Sequence, residues 1–319
     1  MKDEETLSAP TRLRYDNRIT LQKLEVFCSV VDLGGVTRAA DQLWVAQSVV
    51  SGHLRSLQER LGVRLFYRDG QHLKLTKEGE RVYRWATETL ANTRELMRDL
   101  EDAGSGQLAI AASLAVGNYL LPPILAALRH DIPTAAISMS VSDPDETFDL
   151  IEKGQADLGI VIAETAHGHP QLQSEVLGHE EILLVAAPNS LVGIDAISVA
   201  DLGSLALVAP AAGTLPREAV DRQLTELGAP PQNAVMELGH PEAMKRVIRS
   251  GLDACLLFRS CVEDDLEQGT LRQIHLIDAR LSLPVWSVEH KERPRHPVQG
   301  NVVARTRAHL ESRASTPST

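Results

Sequence analysis

The apolar positions of the first hundred residues recur at steps of three and four, as they do along the buried face of a helix. Between Gln47 and Leu61 this stripe comprises Val50, Leu54, Leu57 and Leu61. The stretch Thr37–Leu43 predicts a shorter helix with Thr37 as its N-cap. Residues 43–45 between them are too few for a strand. The pattern therefore predicts two helices with a tight connection, the arrangement that places its second helix in the major groove of DNA.

Two short runs of alternating apolar and polar residues follow, one on each side of Gly70. A glycine between two such runs is typical of a β-hairpin. The same segment contains four basic residues, which could contact phosphates or enter the minor groove: Arg64, Arg68, Lys74 and Lys77. A hairpin directly after the helix pair predicts a winged helix-turn-helix over residues 19–78.

The polar side chains that lie off the buried stripe are candidates for contact with double-stranded DNA. Short polar side chains in the first turn of the second helix can reach base edges, and glutamine can pair with adenine through two hydrogen bonds. The alternative is an amphipathic helical hairpin with a solvated face, because short helical motifs recur by chance. The candidate DNA-binding residues are Thr37, Arg38, Gln47, Ser48, Ser51, His53, Arg55, Arg64, Arg68 and Lys74.

A long helix is predicted between Glu78 and Asp102, because no Pro or Gly occurs from residue 80 to 103. Its apolar seam consists of Val82, Ala86, Leu90, Thr93, Met97 and Leu100. Such a seam needs a partner, either a second copy of the helix or the helix's own domain. We assign residues 79–105 to this linker helix and to a hinge at Gly104–Gly106.

From Gln107 onward, short β-like runs alternate with helical stretches, which is the mark of an α/β domain with a mostly parallel sheet. Residues 1–18 and 311–319 are predicted to be disordered tails. The predicted strands are 108–112, 136–141, 158–162, 182–187, 205–209, 254–258 and 283–288, and the predicted helices are 122–130, 145–153, 217–227 and 241–250.

The charge of the chain is distributed unevenly. The whole sequence has 32 Lys and Arg against 43 Asp and Glu, a formal net charge of -11. Residues 1–100 hold 16 basic and 14 acidic side chains, a net charge of +2, which leaves -13 for the remainder. An acidic body with a slightly basic N-terminal region fits a DNA-binding head, although +2 alone is weak support.

These motifs resemble the LysR-type transcriptional regulators of bacteria. The matching segments of the head are 24–27, 35–40, 46–51, 61–66 and 75–79, and those of the α/β region are 117–122, 154–160, 213–214 and 237–239. The chain departs from the family pattern at Ala46, where Ser or Thr is usual, and at Gly52, where a basic residue is common.

The resemblance implies how such a protein is organised and what it does. It implies a homodimer or homotetramer built on the linker helix, which binds a palindromic promoter site and contacts RNA polymerase in the cytoplasm. It also implies an effector domain over residues 106–310 similar to periplasmic binding proteins. Subdomain I would comprise residues 106–167 and 271–310, and subdomain II residues 168–270.

Four residues are candidates for effector binding: Ser113, Glu164, Thr214 and Arg217. Ligands of open α/β sheets sit at the carboxyl ends of strands, where helix N-termini favour a small anion. By the resemblance, Ser113 stands where relatives that bind anions use a hydroxyl, but Ala115 replaces a second hydroxyl. Ser113 and Thr214 could instead only cap helices, and Arg217 could be a solvated surface charge. Glu164 would repel an anion and favour an amine or a metal-like effector.

The sequence gives little support to other classes of function. It contains no nucleophile-elbow, P-loop or paired metal-ligand motif, so no enzyme activity, cofactor or metal is expected. His167 and His169 could be read as a metal site, but two histidines alone rarely form one. The runner-up interpretation is a solute-binding protein whose head mediates protein association.

The cysteines and one uncharged segment bear on the cellular setting. Cys28, Cys255 and Cys261 are odd in number, which favours buried thiols in a reducing compartment over a redox pair at Cys255 and Cys261. Residues 108–128 carry no charge, but Pro122 and Pro123 interrupt them, so we expect no membrane span.

Overall fold

The computed structural model describes residues 19–69, 72–101, 107–166, 170–230 and 232–314. The chain divides into two compact units, of which the first ends at Met97 and the second begins at Arg98. The predicted N-terminal tail, the glycine at the centre of the hairpin and the predicted hinge lie outside the described residues. We call the first unit the head and the second the effector unit.

Three helices form the centre of the head: α1 (Leu21–Asp32), α2 (Val36–Gln42) and α3 (Gln47–Leu61). The bounds of α3 are those predicted, because its apolar stripe is regular and Gly62 ends it in the left-handed conformation with a φ of +68°. The prediction that Thr37 caps α2 is wrong. The helix begins at Val36 after Gly35, so Thr37 already lies within it.

The wing consists of β1 (Phe66–Asp69) and β2 (His72–Leu75), which pair in antiparallel register. It leads into α4 (Lys77–Glu101), where the hydroxyl of Thr76 accepts a hydrogen bond from the backbone N–H of Gly79 at 2.9 Å. The proximal part of the predicted seam packs on the head through Val82, Ala86 and Leu90. Farther along α4, Leu96 and Met97 are exposed. The proximal part of the seam therefore packs on its own domain, and Met97 farther along the seam is left exposed.

The effector unit alternates strands and helices. A π-helical turn at Val116–Leu120 and a 3-10 turn at Val199–Ser204 are inserted among them. The regular elements are β3 (Gln107–Ala112), α5 (Leu121–Asp131), β4 (Ala136–Val141), α6 (Pro144–Glu152), β5 (Leu158–Ile162), β6 (Leu172–Ala186), β7 (Ala196–Ile197), β8 (Leu207–Ala209), α7 (Leu215–Glu226), β9 (Ala234–Glu237), α8 (Pro241–Arg249), β10 (Ala254–Phe258), α9 (Arg259–Glu267), β11 (Arg272–Leu276), β12 (Leu281–His290) and α10 (Gln299–Ala314).

The principal path through the sheet follows the order β4-β3-β5-β12-β6-β10-β8-β9. Strands β4, β3 and β5 are mutually parallel and form the first subdomain, and β10, β8 and β9 are parallel and form the second. The long antiparallel pair β6 and β12 lies between them and links the two. The predicted α/β architecture with two subdomains is confirmed.

Two predicted boundaries need correction. Strand β11 pairs with the last residues of β6 and with β7, so residues 272–276 lie with the second subdomain and not with the first. Helix α10 continues to Ala314, so residues 311–314 are helical and not part of a tail; Leu310 near its end is buried. Both corrections depend on contacts between segments that are distant in the chain, which local periodicity does not report.

The core of the effector unit lies on both faces of the sheet. Strand β5 is buried at every position, whereas β3 begins exposed at Gln107 and becomes fully buried toward Ala112. Because the strands end buried, the loops that follow them approach one another at the carboxyl edges of the two subdomains. Within the described residues, no helix has the length and apolar character needed to cross a lipid bilayer.

Candidate functional site

The first candidate site is the exposed side of α3. Its core side chains Val50, Leu54 and Leu57 are buried in the head. The predicted contacts Gln47, Ser48, Ser51 and Arg55 are exposed, and Arg55 forms an ion pair with Glu59 at an Nε–Oε1 distance of 2.9 Å. The helix thus separates one packed face from one polar face with a short-side-chain N-terminal turn, as DNA reading requires.

The structure does not bring every predicted contact to that polar face. His53 is half-buried and lies two residues, or about 200° around the helix, from both Ser51 and Arg55. Arg38 and Thr37 are exposed on α2, where the Arg38 guanidinium donates a hydrogen bond to the carbonyl oxygen of Gly34 at 3.1 Å. His53 therefore belongs to a different flank from the other candidates on α3.

The wing presents its basic residues on two faces. Arg68 pairs with Leu73 and Tyr67 pairs with Lys74, so Arg68 and Lys74 point to opposite sides of the ribbon. Both side chains are exposed, as is Arg64 just before β1. Two opposed cations on a narrow ribbon can reach phosphates on both sides of a groove.

Sequence reasoning missed Trp44, which lies in the connection between α2 and α3. Its backbone has a φ of +55° and its side chain is 94% exposed. Val45 and Val49 beside it are also exposed. These apolar side chains lie next to the N-terminal turn of α3. The one sequence signal that could have identified Trp44 as exposed is that a large indole occurs in a segment too short for a strand.

The second candidate site is a cavity of about 400 Å³ between the two subdomains, which we call the cleft cavity. The N-terminal ends of α6, α7 and α8 line it, together with the ends of β3 and β10. Pro144, Pro216 and Pro241 lie in the first turns of these three helices. A proline has no N–H, so each removes one of the donors that a helix N-terminus offers to an anion.

Two of the four predicted effector residues line the cleft cavity. The hydroxyl of Ser113 accepts a hydrogen bond from the backbone N–H of Ile162 at 3.1 Å, which ties the end of β3 to β5. The hydroxyl of Thr214 donates to the carbonyl oxygen of Ala211 at 2.7 Å. Thr214 occupies the N-cap position of α7, but its side chain makes no capping hydrogen bond. The alternative that its hydroxyl only caps the helix is therefore not supported.

The other two predicted effector residues are not among those lining the cavity. Arg217 is 8% exposed, and its guanidinium donates to Asp221 with an Nε–Oδ2 distance of 2.6 Å and to the carbonyl of Pro210 at 3.2 Å. Arg217 is therefore tied to neighbouring groups of the protein and is not a solvated surface charge. Glu164 forms an ion pair with Arg222 of α7 at an Oε2–Nη1 distance of 2.5 Å. Both side chains are thus engaged by other groups of the effector unit.

Several polar lining residues were not predicted. Asp143 and Asp145 come from the start of α6, His240 from the start of α8, and Gln232 from the segment before β9. His240 accepts a hydrogen bond from the backbone N–H of Glu242 at 3.2 Å. Their proximity arises from pairing between strands that are far apart in the sequence, so no local pattern marks them.

Side chains of α8 also contact the first subdomain. The ammonium group of Lys245, on the buried side of α8, lies 2.8 Å from Oδ2 of Asp265 and 2.6 Å from Oε1 of Glu242. It also lies 5.4 Å from the ring centroid of Tyr119, a residue of the π-helical turn in the first subdomain. One cluster thus joins α8 and α9 to the other side of the cleft.

The three cysteines are free thiols and all are buried. Burial raises the pKa of Cys255 and of Cys261 well above the usual value of a thiol. A thiol held in its protonated form is a poor nucleophile, which weighs against the redox-pair alternative.

The two histidines considered as a metal site, His167 and His169, lie outside the described residues. Within the described part of the chain, no group of three or more His, Cys, Asp or Glu could hold a metal ion.

Comparison with known proteins identifies both units. Residues 21–80 match the bacterial regulatory helix-turn-helix protein, lysR family, and residues 101–311 match the LysR substrate binding domain. The uncharacterized HTH-type transcriptional regulator YeiE of Escherichia coli K12 is 32% identical over 275 residues, which are 86% of this chain and 92% of that protein.

Solved structures show the same fold. A full-length OxyR variant from Pseudomonas aeruginosa superposes with a TM-score of 0.64 at 20% identity, over 91% of this chain and 95% of that one. Full-length CbnR in complex with its target DNA gives a TM-score of 0.60 at 20% identity, over 91% of this chain and 99% of that one. At this level of identity the likeness concerns the fold alone.

Proposed function

The chain belongs to the LysR family of transcriptional regulators, and we propose that it binds two half-sites of an imperfect palindrome in a promoter as a dimer or tetramer. Members of this family are DNA-binding regulators with an effector-binding domain and are not enzymes. The observation that carries the proposal is the polar face of α3, with Gln47, Ser48 and Ser51 exposed beside a basic wing.

The exposed face of α4 supports self-association. Trp85 and Leu96 are both exposed, and eleven residues, or about three helical turns, separate them, so they share one face of the helix. Large apolar side chains on one face of a long helix are the pattern of a helix pair. Two heads joined through such a pair would meet two half-sites related by the same twofold symmetry.

The cleft cavity is the proposed effector site. A small molecule that binds one arrangement of the two subdomains better than another would shift the population toward that arrangement, and thereby change DNA bending and contact with RNA polymerase in the cytoplasm. An anionic effector is expected where helices begin, and the N-termini of three helices, α6, α7 and α8, line the cavity, which supports that expectation. The prolines in those first turns and the carboxylates of Asp143 and Asp145 weigh against an anion.

The test is selection of DNA sites from a random library by the purified full-length protein, followed by affinity measurements over a range of salt. We expect enrichment of paired half-sites and a steep linear fall of log affinity with log salt, because phosphate contacts release counterions. Ser51→Ala should lower the preference for the selected site. Arg68→Ala should lower the affinity for all sequences and flatten the salt dependence.

The control is Arg129→Ala, which removes the same charge from an exposed position on α5 of the effector unit and should leave DNA binding unchanged. Normal affinity and specificity in both head variants would refute these contacts. A folded protein that enriches no site at any salt concentration would refute the regulator proposal and favour a ligand-binding role.

A further inference from the structure

Two side-chain contacts join the subdomains beside the cleft cavity. The first lies at α8, where the phenol of Tyr119 donates to Oε1 of Glu242 at 3.0 Å. The second lies at α7, where Nη1 of Arg222 is 2.5 Å from Oε2 of Glu164. Tyr119 and Glu164 follow β3 and β5 of the first subdomain, and their partners lie on helices of the second. Each contact must therefore break when the subdomains separate.

The contact at α8 is held from the second subdomain by a buried cation. Lys245 is 5% exposed, and its ammonium group lies 2.6 Å from Oε1 of Glu242 and 5.4 Å from the centroid of the Tyr119 ring. It also donates to Oδ2 of Asp265 and to the carbonyl oxygen of Cys261, both at 2.8 Å. Hydrogen bonds to an ionised acceptor are stronger than neutral ones, so the phenol and the ammonium together fix the carboxylate. We call Tyr119, Glu242 and Lys245 the latch.

The contact at α7 is more open to solvent. The side chain of Arg222 is 57% exposed and that of Glu164 is 27% exposed, and ion pairs at such positions contribute little individually. The backbone next to Glu164 is fixed, because the carbonyl oxygen of Ala163 accepts a hydrogen bond from Nε1 of Trp286 at 2.9 Å. The pair is therefore a second and weaker tie between the end of β5 and α7.

The segments that the latch joins are also the ones that line the cavity. Ser113 lines it, and the π-helical turn that contains Tyr119 follows shortly after. On α8, His240 and Met244 line it, and Glu242 lies between them in the chain. A molecule in the cavity therefore touches the two segments whose separation the latch opposes.

We propose, on the premise that the cleft cavity is the effector site, that the latch and the Glu164–Arg222 pair together hold the cleft closed, and that the subdomains open in one event when both give way. An effector that fits the cavity with both contacts made gains affinity from them, and by reciprocal linkage it stabilises them. The residues of the latch are positioning residues, because they set the arrangement of the walls.

Cys261 is a native reporter of this opening. It lies in the first turn of α9, is 2% exposed, and α9 packs against the π-helical turn. Burial, the hydrogen bond to Glu242 and the nearby thiol of Cys261 all raise the pKa of Tyr119, in keeping with a thiol next to the phenol. Cys255 lies in β10, paired on both sides with β6 and β8. Opening of the cleft uncovers Cys261 and leaves Cys255 covered within its sheet.

The test measures alkylation of each cysteine of the full-length protein by N-ethylmaleimide, with no ligand present, by mass spectrometry of peptides. At low reagent concentration the rate follows the population of the open form. Tyr119→Phe keeps the ring and removes the donor, so Cys261 should react about fivefold faster than in wild type. Cys255 should keep its slow wild-type rate, which shows that the second subdomain remains folded.

Arg222→Gln distinguishes one opening event from local fraying at the latch. The charge that it removes lies on α7, whereas α8 and α9 surround Cys261. If the subdomains open together, Cys261 should react about two- to fourfold faster in this variant, and the two effects should multiply in Tyr119→Phe/Arg222→Gln. The controls are Tyr67→Phe on the wing and Arg246→Gln on α8, which change exposed side chains and should leave the rate unchanged.

The outcomes separate this inference from the proposed function. An unchanged rate at Cys261 in Tyr119→Phe would overturn the latch, and an unchanged rate in Arg222→Gln would overturn the single opening event. Equal acceleration of Cys255 and Cys261 would also overturn it, because that result reports unfolding of the second subdomain. Selection of DNA sites by the wild-type protein is measured separately. Normal selection together with any of these results leaves the regulator standing and removes only the latch.

Discussion

The phenol of Tyr119 donates a hydrogen bond to Oε1 of Glu242 at 3.0 Å, and the two residues belong to different subdomains of the effector unit. Tyr119 lies in the π-helical turn after β3, and Glu242 lies in the first turn of α8. Burial, followed by the hydrogen bond to Glu242, raises the pKa of Tyr119. The phenol therefore remains protonated and remains a donor throughout the neutral range. This bond holds the cleft together beside the cavity.

Removal of this donor tests its contribution. Tyr119→Phe keeps the ring above Lys245 and loses the hydrogen bond, so we expect the free energy of unfolding to fall by about 1 kcal/mol. Urea denaturation of the full-length protein at pH 7, followed by circular dichroism, measures it. Tyr67→Phe on the exposed wing is the control and should change stability little. Equal stability of wild type and Tyr119→Phe would show that the bond makes no net contribution.

The same link predicts a pH dependence. Burial alone would raise the pKa of Glu242, but hydrogen bonds from Lys245 and Tyr119 outweigh it, so the pKa lies below the ordinary 4.5. A carboxyl whose pKa is lower in the folded state stabilises the protein at neutral pH, and this stabilisation is lost as pH falls from the unfolded value through the folded one.

The comparison of wild type with Glu242→Gln isolates that effect. The difference in their free energies of unfolding should be constant near neutrality and should shrink as the pH falls to about 4.5 and below, because the unfolded carboxyl is half protonated at 4.5. Urea denaturation at a series of pH values measures it. A difference that grows toward acid pH would contradict the lowered pKa.

Gly79 lies where the start of α4 approaches the wing. A Cβ added there would overlap the carbonyl oxygen of Leu65 and lie 3.0 Å from Cδ2 of Leu75. Because a backbone atom cannot swing away, Gly79→Ala should destabilise the head by about 2 kcal/mol or more. Gly52→Ala is the matched control, since a Cβ meets nothing within 4 Å in α3 and alanine favours the helix by about 1 kcal/mol. Thermal unfolding of both variants should show shifts of opposite sign.

The buried thiols predict a slow reaction with thiol reagents. Because burial holds Cys255 and Cys261 in the protonated form, native protein should react slowly with 5,5′-dithiobis(2-nitrobenzoic acid), and both should react at once in denaturant. Cys28→Ser protein leaves only these two thiols to count. Rapid labelling of folded protein, or a disulfide between them after mild peroxide treatment, would restore the redox alternative.

Local patterns predict those elements in which one signal repeats. The observed ends of helix α3 follow from its regular stripe and from Gly62, which stops it. Strand β5 is predictable because it is apolar throughout and short. The first ten residues of β6 escape prediction, because that strand passes through both subdomains with a mixed burial pattern that matches neither periodicity. Strand β11 escapes because only its central residue, Ile274, is buried and its other residues are half-buried.

Residue spacing over a few turns was enough to predict the winged head and the alternation of strands and helices, and the motifs within them carried a resemblance to the family. It also indicated that ligand would sit where strands end and helices begin. Which side chains line that place became known only from the folded chain. Arg217 pairs with Asp221, while Gln232 and Asp143, which are about ninety residues apart in the chain, both line the cavity. The character of a cavity depends on contacts between distant segments, and no local periodicity records them.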